Sequence, residues 1–151
     1  MKTGAKRSPA GSIRFAEFAD LDALVAVRLS VRENALAGKS DVPVKAYENF
    51  IHHKALLVWA DGADIHGFCA ADPIDGTIWS LYVRPQQEGR GIGSALLEAA
   101  CAWLKANGRD RALLATGPRT QAADFYCRRG WQPLGMTEWD EMQFVKKLDS
   151  L

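Results

Sequence analysis

Three glycines at alternate positions, Gly89, Gly91 and Gly93, stand between a predicted strand and a predicted helix. Because glycine has no Cβ atom, such a segment allows consecutive backbone N–H groups to point at one spot. The dipole of the following helix adds positive partial charge there, which favours a phosphate or pyrophosphate. Arg90 could add a direct contact. The pattern therefore predicts an anion-binding site at the start of a helix.

Two other glycine-rich phosphate motifs do not fit the chain. A Rossmann GxGxxG fingerprint would require glycine at Ser94 or at Leu96, depending on the frame. A P-loop would require a glycine five residues before Gly38, but Glu33 occupies that position. One alternative without a ligand stays open, in which the glycines simply allow a tight passage from strand to helix.

The elements that must position this segment follow from hydrophobic periodicity and turn residues. Their order is β-α-α-β-β-β-α-β-α-β-β, with strands near 12–17, 55–60, 65–71, 77–84, 111–116 and a final pair in 131–148, and helices from 21 to about 38, from 43, at 92–107 and at 121–129. This order indicates an α/β (α+β) fold with a mixed, twisted sheet flanked by helices. The crossover around the glycines should make strands 77–84 and 111–116 parallel.

Size and charge limit the classes of partner. The chain has 151 residues, 48% hydrophobic and 25% charged, which suits one domain over 12–151 after a flexible tail over 1–11. The net charge of +1 gives no field that would favour nucleic acid or a membrane. No apolar run is long enough to span a bilayer. The cysteines and histidines lack disulfide or metal-ligand spacing, so we expect no metal and a soluble, cytoplasmic protein.

Two motifs resemble those of a known family. The run Leu-Tyr-Val-Arg-Pro at 81–85 and the run Gly-Arg-Gly-Ile-Gly-Ser-Ala-Leu-Leu at 89–97 resemble the acetyl-CoA motif of GCN5-related N-acetyltransferases (GNAT). The second motif, Ala-x-x-Phe-Tyr followed by Gly and an aromatic residue, is present at 122–126 and 130–131. The element order matches that family's fold, so the resemblance covers nearly the whole chain. Two residues depart from the pattern, since Glu88 replaces a Gln or Arg and Arg119 replaces an Asn.

The resemblance implies an N-acetyltransferase that moves an acetyl group from acetyl-CoA to a primary amine of a small molecule or peptide, by direct attack in a ternary complex. It implies that the backbone of Leu81 and Val83 forms hydrogen bonds with the pantetheine arm and that a backbone N–H near Val83 helps to stabilise the developing oxyanion. Tyr126 is implied as the general acid, with a packed aromatic as the alternative. The implied cofactor-binding residues are Leu81, Tyr82, Val83, Glu88, Gly89, Arg90, Gly91, Ile92, Gly93, Ser94 and Phe125.

Several assignments stay open at this point. Water or one of five side chains could accept the proton of the amine: Glu48, His52, Asp72, Asp75 and Glu138. Four side chains are candidates for the acceptor pocket: Arg32, Glu33, Trp79 and Trp139. Cys127 is interpreted as a small buried structural residue. Many members of the family pair through the sheet or its terminal strands, and a homodimer is the expectation that the resemblance gives. The alternative functions are a non-catalytic acyl-CoA-binding regulatory module and an enzyme for another phosphorylated ligand.

Overall fold

The structure, a computed structural model, describes residues 10–31, 43–117 and 121–148. Within these ranges it contains seven strands and four helices in the predicted order. The strands are β1 (Ser12–Phe15), β2 (Leu56–Asp61), β3 (Asp64–Ala71), β4 (Ile78–Val83), β5 (Arg111–Thr116), β6 (Gln132–Met136) and β7 (Met142–Lys147). The helices are α1 (Leu21–Ser30), α2 (Val44–His52), α3 (Ile92–Ala106) and α4 (Gln121–Arg128). The expected α+β fold class is confirmed.

The first helix ends earlier than the sequence predicts. The expected helix continues to about residue 38, whereas α1 ends at Ser30 and Val31 adopts extended backbone angles, φ −91° and ψ 111°. A β-branched residue such as Val31 favours extended backbone, which is a physical reason for the earlier end. Residues 32–42 lie outside the described part of the chain, as do residues 1–9 of the expected tail and Arg119.

The strands form two antiparallel sheets rather than one continuous mixed sheet. One sheet has the order β1-β2-β3-β4 and the other has the order β5-β7-β6. A single parallel bridge, between Thr77 and Leu113, connects them within the described residues. In the register of β3 and β4, Ala70 pairs with Ser80 and Ala71 pairs with Ile78, so Trp79 is the extra residue of a β-bulge. A bulge bends its strand, and β4 and β5 run parallel but apart beyond the bridge.

The first sheet has helices on both faces. A Cβ atom at Gly67 of β3 would lie 3.3 Å from Leu96 of α3, so that face packs against α3. Successive side chains of a strand alternate between faces, which places Phe68 and Tyr82 on the opposite face. There Phe68 packs against Tyr47 of α2, with ring centroids 5.9 Å apart. The free edge of β4 is therefore bordered by α3 on one side and by α1 and α2 on the other.

α3 carries the glycine segment at its N-terminus. The sequence predicts an apolar stripe of Ile92, Leu96, Ala99, Ala100, Trp103 and Leu104 on this helix, and four of the six, Ile92, Leu96, Ala100 and Leu104, are buried. These residues are four apart and hold one helical face against β3 and β4. The packing fixes the first turn of α3 next to the end of β4. Although α3 has 15 residues, no helix in the described ranges is both long and apolar enough to cross a bilayer.

Candidate functional site

The open edge of β4 presents the backbone groups that were predicted to bind pantetheine. The Arg84 amide donates a hydrogen bond to the His66 carbonyl of β3 at 2.8 Å. Because successive peptide groups of a strand point to opposite sides, the Tyr82 groups also face β3. The backbone groups of Leu81 and Val83 therefore face away from β3, toward the gap that separates β4 from β5.

Two cavities lie along this edge. The larger one, about 550 Å³, is bordered by β4, the start of α3 and α4. The smaller one, about 10 Å³, lies in the gap between β4 and β5, and Tyr126 lines both. The predicted site residues that line the larger cavity are Leu81, Tyr82, Val83, Glu88, Gly89, Gly91, Ile92, Gly93, Ser94, Phe125 and Tyr126. Arg90 is exposed and does not line it. The larger volume is typical of small-molecule sites.

The glycine segment forms a turn that opens the N-terminus of α3 to this cavity. Gly89 and Gly91 have φ of +80° and +86°, in the left-handed region that favours glycine. Gly93 lies in the first turn of α3, and a Cβ atom there would lie 3.6 Å from Cγ2 of Val83. The Ala95 amide donates a hydrogen bond to the Gly91 carbonyl at 3.0 Å. The helical amides before Ala95 have no carbonyl one turn back, so they can bind an anion.

Tyr126 is buried, with 1% of its surface exposed. Its ring lies 5.7 Å from the ring of Trp131 and 6.0 Å from that of Phe144, measured between centroids. Burial raises the pKa of its phenol well above the ordinary value, and the nearby Cys69 thiol adds to that shift. The phenol therefore keeps its proton at neutral pH, as a proton donor must.

Arg129 is a cavity residue that the sequence analysis did not identify. Its Nε donates a hydrogen bond to the Ser94 hydroxyl oxygen at 2.8 Å, and its Nη1 donates one to the Phe125 carbonyl at 3.3 Å. A cation is thus held beside the first turn of α3, where the phosphate is expected. Six other lining residues were also not among the predicted site residues: Val31, Gln87, Gln121, Ala122, Asp124 and Arg128. The adjacent Arg128 and Arg129, which stand between the two parts of the second motif, are the signal that could have indicated the two cations.

None of the five candidate bases lines either cavity. Asp72 accepts a hydrogen bond from the Ile74 amide at 2.8 Å, and Asp75 accepts one from the Thr77 amide at 2.9 Å. Both aspartates therefore stabilise the turn between β3 and β4, a common role for this residue type. The other three candidates are exposed: Glu48, His52 and Glu138.

Of the four candidates for the acceptor pocket, Trp79 lines a cavity and Trp139 does not. Trp79 is the extra residue of the bulge, is 51% exposed and lines the smaller cavity in the gap between β4 and β5. Its ring centroid lies 6.0 Å from that of Phe50 on α2. Trp139 lies between β6 and β7, is 69% exposed and lines neither cavity. Arg32 and Glu33 lie outside the described residues.

Cys127 is exposed, which corrects its interpretation as a small buried residue. α4 is amphipathic, and Tyr126 occupies its buried face, so the next residue along the chain points outward. The terminal strand β6 lies at the edge of its sheet with all five residues exposed. The homodimer through a terminal strand stays a prediction.

The larger cavity fits acetyl-CoA by the chemistry of its lining. The amides at the start of α3 and the guanidinium of Arg129 suit a diphosphate, and the free strand edge at Leu81 and Val83 suits the amide groups of pantetheine. Glu88, the departure from the family pattern, also lines the cavity, but its side chain is exposed. In the part of the chain that the structure describes, no group of three His, Cys, Asp or Glu residues could hold a metal ion.

The comparison with protein families decides where the chain belongs. The model of the acetyltransferase (GNAT) family matches residues 24–131. The chain belongs to the GNAT family. It is therefore an acetyl-CoA-dependent N-acetyltransferase, and the resemblance inferred from the two motifs is confirmed. No curated protein matches this GNAT chain.

Solved structures share the fold of this GNAT protein at low sequence identity. YncA, a putative acetyltransferase from Salmonella typhimurium with acetyl-CoA, has a TM-score of 0.73 and 17% identity over 93% of this chain and 95% of its own. PaiA N-acetyltransferase from Thermoplasma acidophilum, in complex with coenzyme A, has a TM-score of 0.73 and 19% identity over 92% of this chain and 99% of its own. N-acetylglutamate synthase from Neisseria gonorrhoeae, complexed with coenzyme A and N-acetyl-glutamate, has a TM-score of 0.73 and 21% identity over 94% of this chain. The chain covers only 36% of that synthase.

Proposed function

We propose that this GNAT protein transfers an acetyl group from acetyl-CoA to a primary amine of a small molecule or peptide, by direct attack of the amine in a ternary complex. One observation carries the proposal: Tyr126 lines both the large cavity beside the glycine turn and the small gap between β4 and β5. A donor in the cavity and an acceptor that approaches through the gap would meet beside this side chain.

The residues of the large cavity are proposed to bind and orient the donor. The amides at the start of α3, together with Arg129, would hold the diphosphate by charge and hydrogen bonds. The backbone of Leu81 and Val83 would pair with the pantetheine arm as a further strand does. When bound, acetyl-CoA supplies the activated acyl group. Binding of both the diphosphate and the pantetheine arm would fix the acetyl carbonyl carbon near the gap. This positioning would remove much of the entropic barrier to a two-substrate reaction.

Two groups at the gap are proposed to act on the reaction itself. The Val83 amide faces the gap and would donate a hydrogen bond to the acyl oxygen as negative charge develops there. Tyr126 would donate its proton to the leaving sulfur. Burial raises the pKa of the phenol, so the phenol is protonated before this step. Among the described residues that line the gap there is no Asp, Glu or His, so we propose that water accepts the proton of the amine.

The acceptor is proposed to approach from the side of α1 and α2. Trp79 and Phe50 form an aromatic surface on that side, and Trp79 reaches the gap itself. An exposed tryptophan at a strand bulge contributes apolar contact area without being needed for the core. This surface supports the assignment of Trp79 as an acceptor contact.

An amine-panel assay tests the proposed function. The protein and acetyl-CoA are mixed in turn with amino acids, polyamines, aminoglycosides and peptides, and the free thiol released is measured. Mass spectrometry identifies the acetylated amine. We expect thiol release that equals N-acetyl product with at least one class. If coenzyme A binds but no amine causes thiol release, the chain is a binding module and the proposal is wrong. If ATP or NAD binds as tightly as coenzyme A, the diphosphate assignment fails.

A further inference from the structure

Arg28 of α1 lies against Tyr82, a residue of the larger cavity, on the side from which the acceptor is proposed to approach. Its guanidinium carbon lies 5.1 Å from the ring centroid of Tyr82, which lines the larger cavity. Val31, three residues further along, lines the same cavity. Tyr82 projects from the face of β4 opposite α3, so Arg28 and the glycine turn lie on opposite sides of the sheet. The cation is therefore separate from the groups that would hold the diphosphate.

No carboxylate of the described residues forms an ion pair with Arg28, whose guanidinium stacks on the ring of Tyr82. Its Nε is buried and makes no hydrogen bond there. Arg14, by contrast, forms a bidentate pair with Asp20 at 2.8 and 3.1 Å. A buried donor without an acceptor is costly, and buried donors in folded proteins nearly always have partners. The buried Nε of Arg28 lacks an acceptor next to Tyr82, and a ligand bound beside Tyr82 could supply that acceptor.

We propose that Arg28 binds a carboxylate of the acceptor, so that the substrate class is amino carboxylates such as amino acids. This inference rests on the proposed function, because it assigns the second substrate of that reaction. A guanidinium that lies over an aromatic ring keeps its N–H groups available at its edge, where a carboxylate accepts two parallel hydrogen bonds. The acceptor would then be held by its carboxylate, a group that takes no part in the bond that its amine forms.

A carboxylate suits this position better than a phosphate group. A phosphate monoester carries close to two negative charges at neutral pH, whereas Arg28 supplies one positive charge. The described cations that line the larger cavity, Arg128 and Arg129, lie at the end of α4 beside the proposed diphosphate position. One guanidinium facing one carboxylate balances the charge.

The test compares matched acceptors that differ only at the carboxylate. Each amino acid of the panel is assayed beside its α-amide and its decarboxylated amine, with thiol release as the readout. The amide is less basic and the decarboxylated amine is more basic than the amino acid, so a preference over both cannot come from amine basicity. We expect kcat/KM to favour the amino acid by about 10- to 100-fold, the range of a charge-assisted hydrogen bond. O-Phosphoethanolamine beside ethanolamine tests the phosphate alternative.

The variants then assign that preference to Arg28. Arg28→Gln should raise KM for the amino acid about 10-fold or more, leave kcat/KM for the matched amide unchanged, and leave KM for acetyl-CoA unchanged. Arg28→Lys should restore part of the preference, because lysine keeps the charge but not the bidentate geometry. Arg111→Gln removes an exposed cation that lines neither cavity and should behave as wild type. Unaltered amide kinetics also show that Arg28→Gln is folded.

Several outcomes would overturn the inference while the proposed function stands. These are equal kcat/KM for acid, amide and amine, a preference for the phosphorylated amine, or a carboxylate preference that survives in Arg28→Gln. If no amine causes thiol release, the proposed function fails instead. Carboxylate binding is then measured by calorimetry of N-acetyl amino acids and their amides with the coenzyme A complex. Tighter binding of the acids that depends on Arg28 supports the inference, and equal binding contradicts it.

Discussion

Arg129 and Ser94 connect the end of α4 to the start of α3, with Nε of Arg129 donating a hydrogen bond to the Ser94 hydroxyl oxygen at 2.8 Å. The same guanidinium lies 3.8 Å from the ring centroid of Phe125. These two residues are 35 positions apart in the chain, and their contact places one cation beside the N-terminus of α3. The positions of these groups explain how the second sequence motif contributes to a site whose first half is the glycine turn.

Arg129→Gln should weaken acetyl-CoA binding about 5- to 10-fold, because the lost cation is solvent-exposed and partly screened. The loss should shrink as salt rises, since screening weakens the pair that the variant removes. Calorimetric titration at several salt concentrations measures both effects. A short acetyl thioester that lacks the diphosphate serves as the control acetyl donor, and its turnover should not change. An equal loss with that thioester would show that Arg129 acts on the fold rather than on the phosphate.

Tyr126→Phe should lower kcat about 100-fold while the acetyl-CoA dissociation constant stays within about twofold, because the hydroxyl acts only on the leaving group. Phenylalanine keeps the contacts with Trp131 and Phe144, so stability should change little. Stopped-time thiol assays and calorimetry give the two values. Since burial raises the pKa of Tyr126 well above its usual range, ionisation of this phenol should cause no fall in rate below about pH 10. Wild-type turnover by Tyr126→Phe would remove this residue from the acid role.

Gly91→Ala and Gly108→Ala form a matched pair. Both glycines have positive φ, +86° and +89°, and a Cβ atom at either would meet no atom within 4 Å. Each substitution should therefore cost about 1 kcal/mol of folding free energy through backbone strain alone. Only Gly91 lines the larger cavity, so only Gly91→Ala should raise the acetyl-CoA dissociation constant, by about 10-fold. Denaturant unfolding and calorimetry separate the two effects, and equal binding by both variants would contradict the anion-binding role of the turn.

Trp79→Ala should raise KM for the acceptor about 10-fold and leave KM for acetyl-CoA unchanged, because the side chain reaches the gap but not the larger cavity. The exposed Trp139→Ala is the control, as its side chain lines neither cavity. Steady-state kinetics with both substrates varied gives the two constants. If Trp79→Ala changes only acetyl-CoA kinetics, the acceptor does not approach over this surface.

Cys101 should make stability fall at alkaline pH. Burial raises the pKa of its thiol to about 11, with Lys146 opposing and Glu98 adding to the shift. An unfolded thiol ionises near pH 9, so between about pH 9 and 11 the unfolded chain binds fewer protons than the folded one and stability declines as pH rises. The total loss is about 2–3 kcal/mol from this group.

Urea unfolding from pH 8 to 11 measures that decline. Cys101→Ala should lower stability at pH 8 by about 1 kcal/mol through the smaller side chain, yet give a shallower slope above pH 9. The exposed Cys127→Ala should keep the wild-type slope. Parallel curves for wild type and Cys101→Ala would show that this thiol does not titrate differently in the two states.

Local features of the chain were sufficient to predict the order of the elements and the glycine turn. The stripe Ile92, Leu96, Ala100 and Leu104 repeats with the helical period, and glycine at positions 89 and 91 matches backbone that other residues adopt at a cost. Order along the chain then identified the fold, since connections are short and parallel strands require a crossover. The end of α1 was less predictable, because propensity differences at a helix end are small.

Only the tertiary structure decided which side chains meet. The stacking of Arg28 on Tyr82 and the bond from Arg129 to Ser94 join segments more than 30 residues apart, and no periodicity records such contacts. The exposure of Trp79 depends on a bulge defined by pairing with β3. Sequence alone therefore determined the fold and the conformation of the glycine turn, which arise from backbone preferences of neighbouring residues. The second half of the site and the acceptor side depend on how distant elements pack.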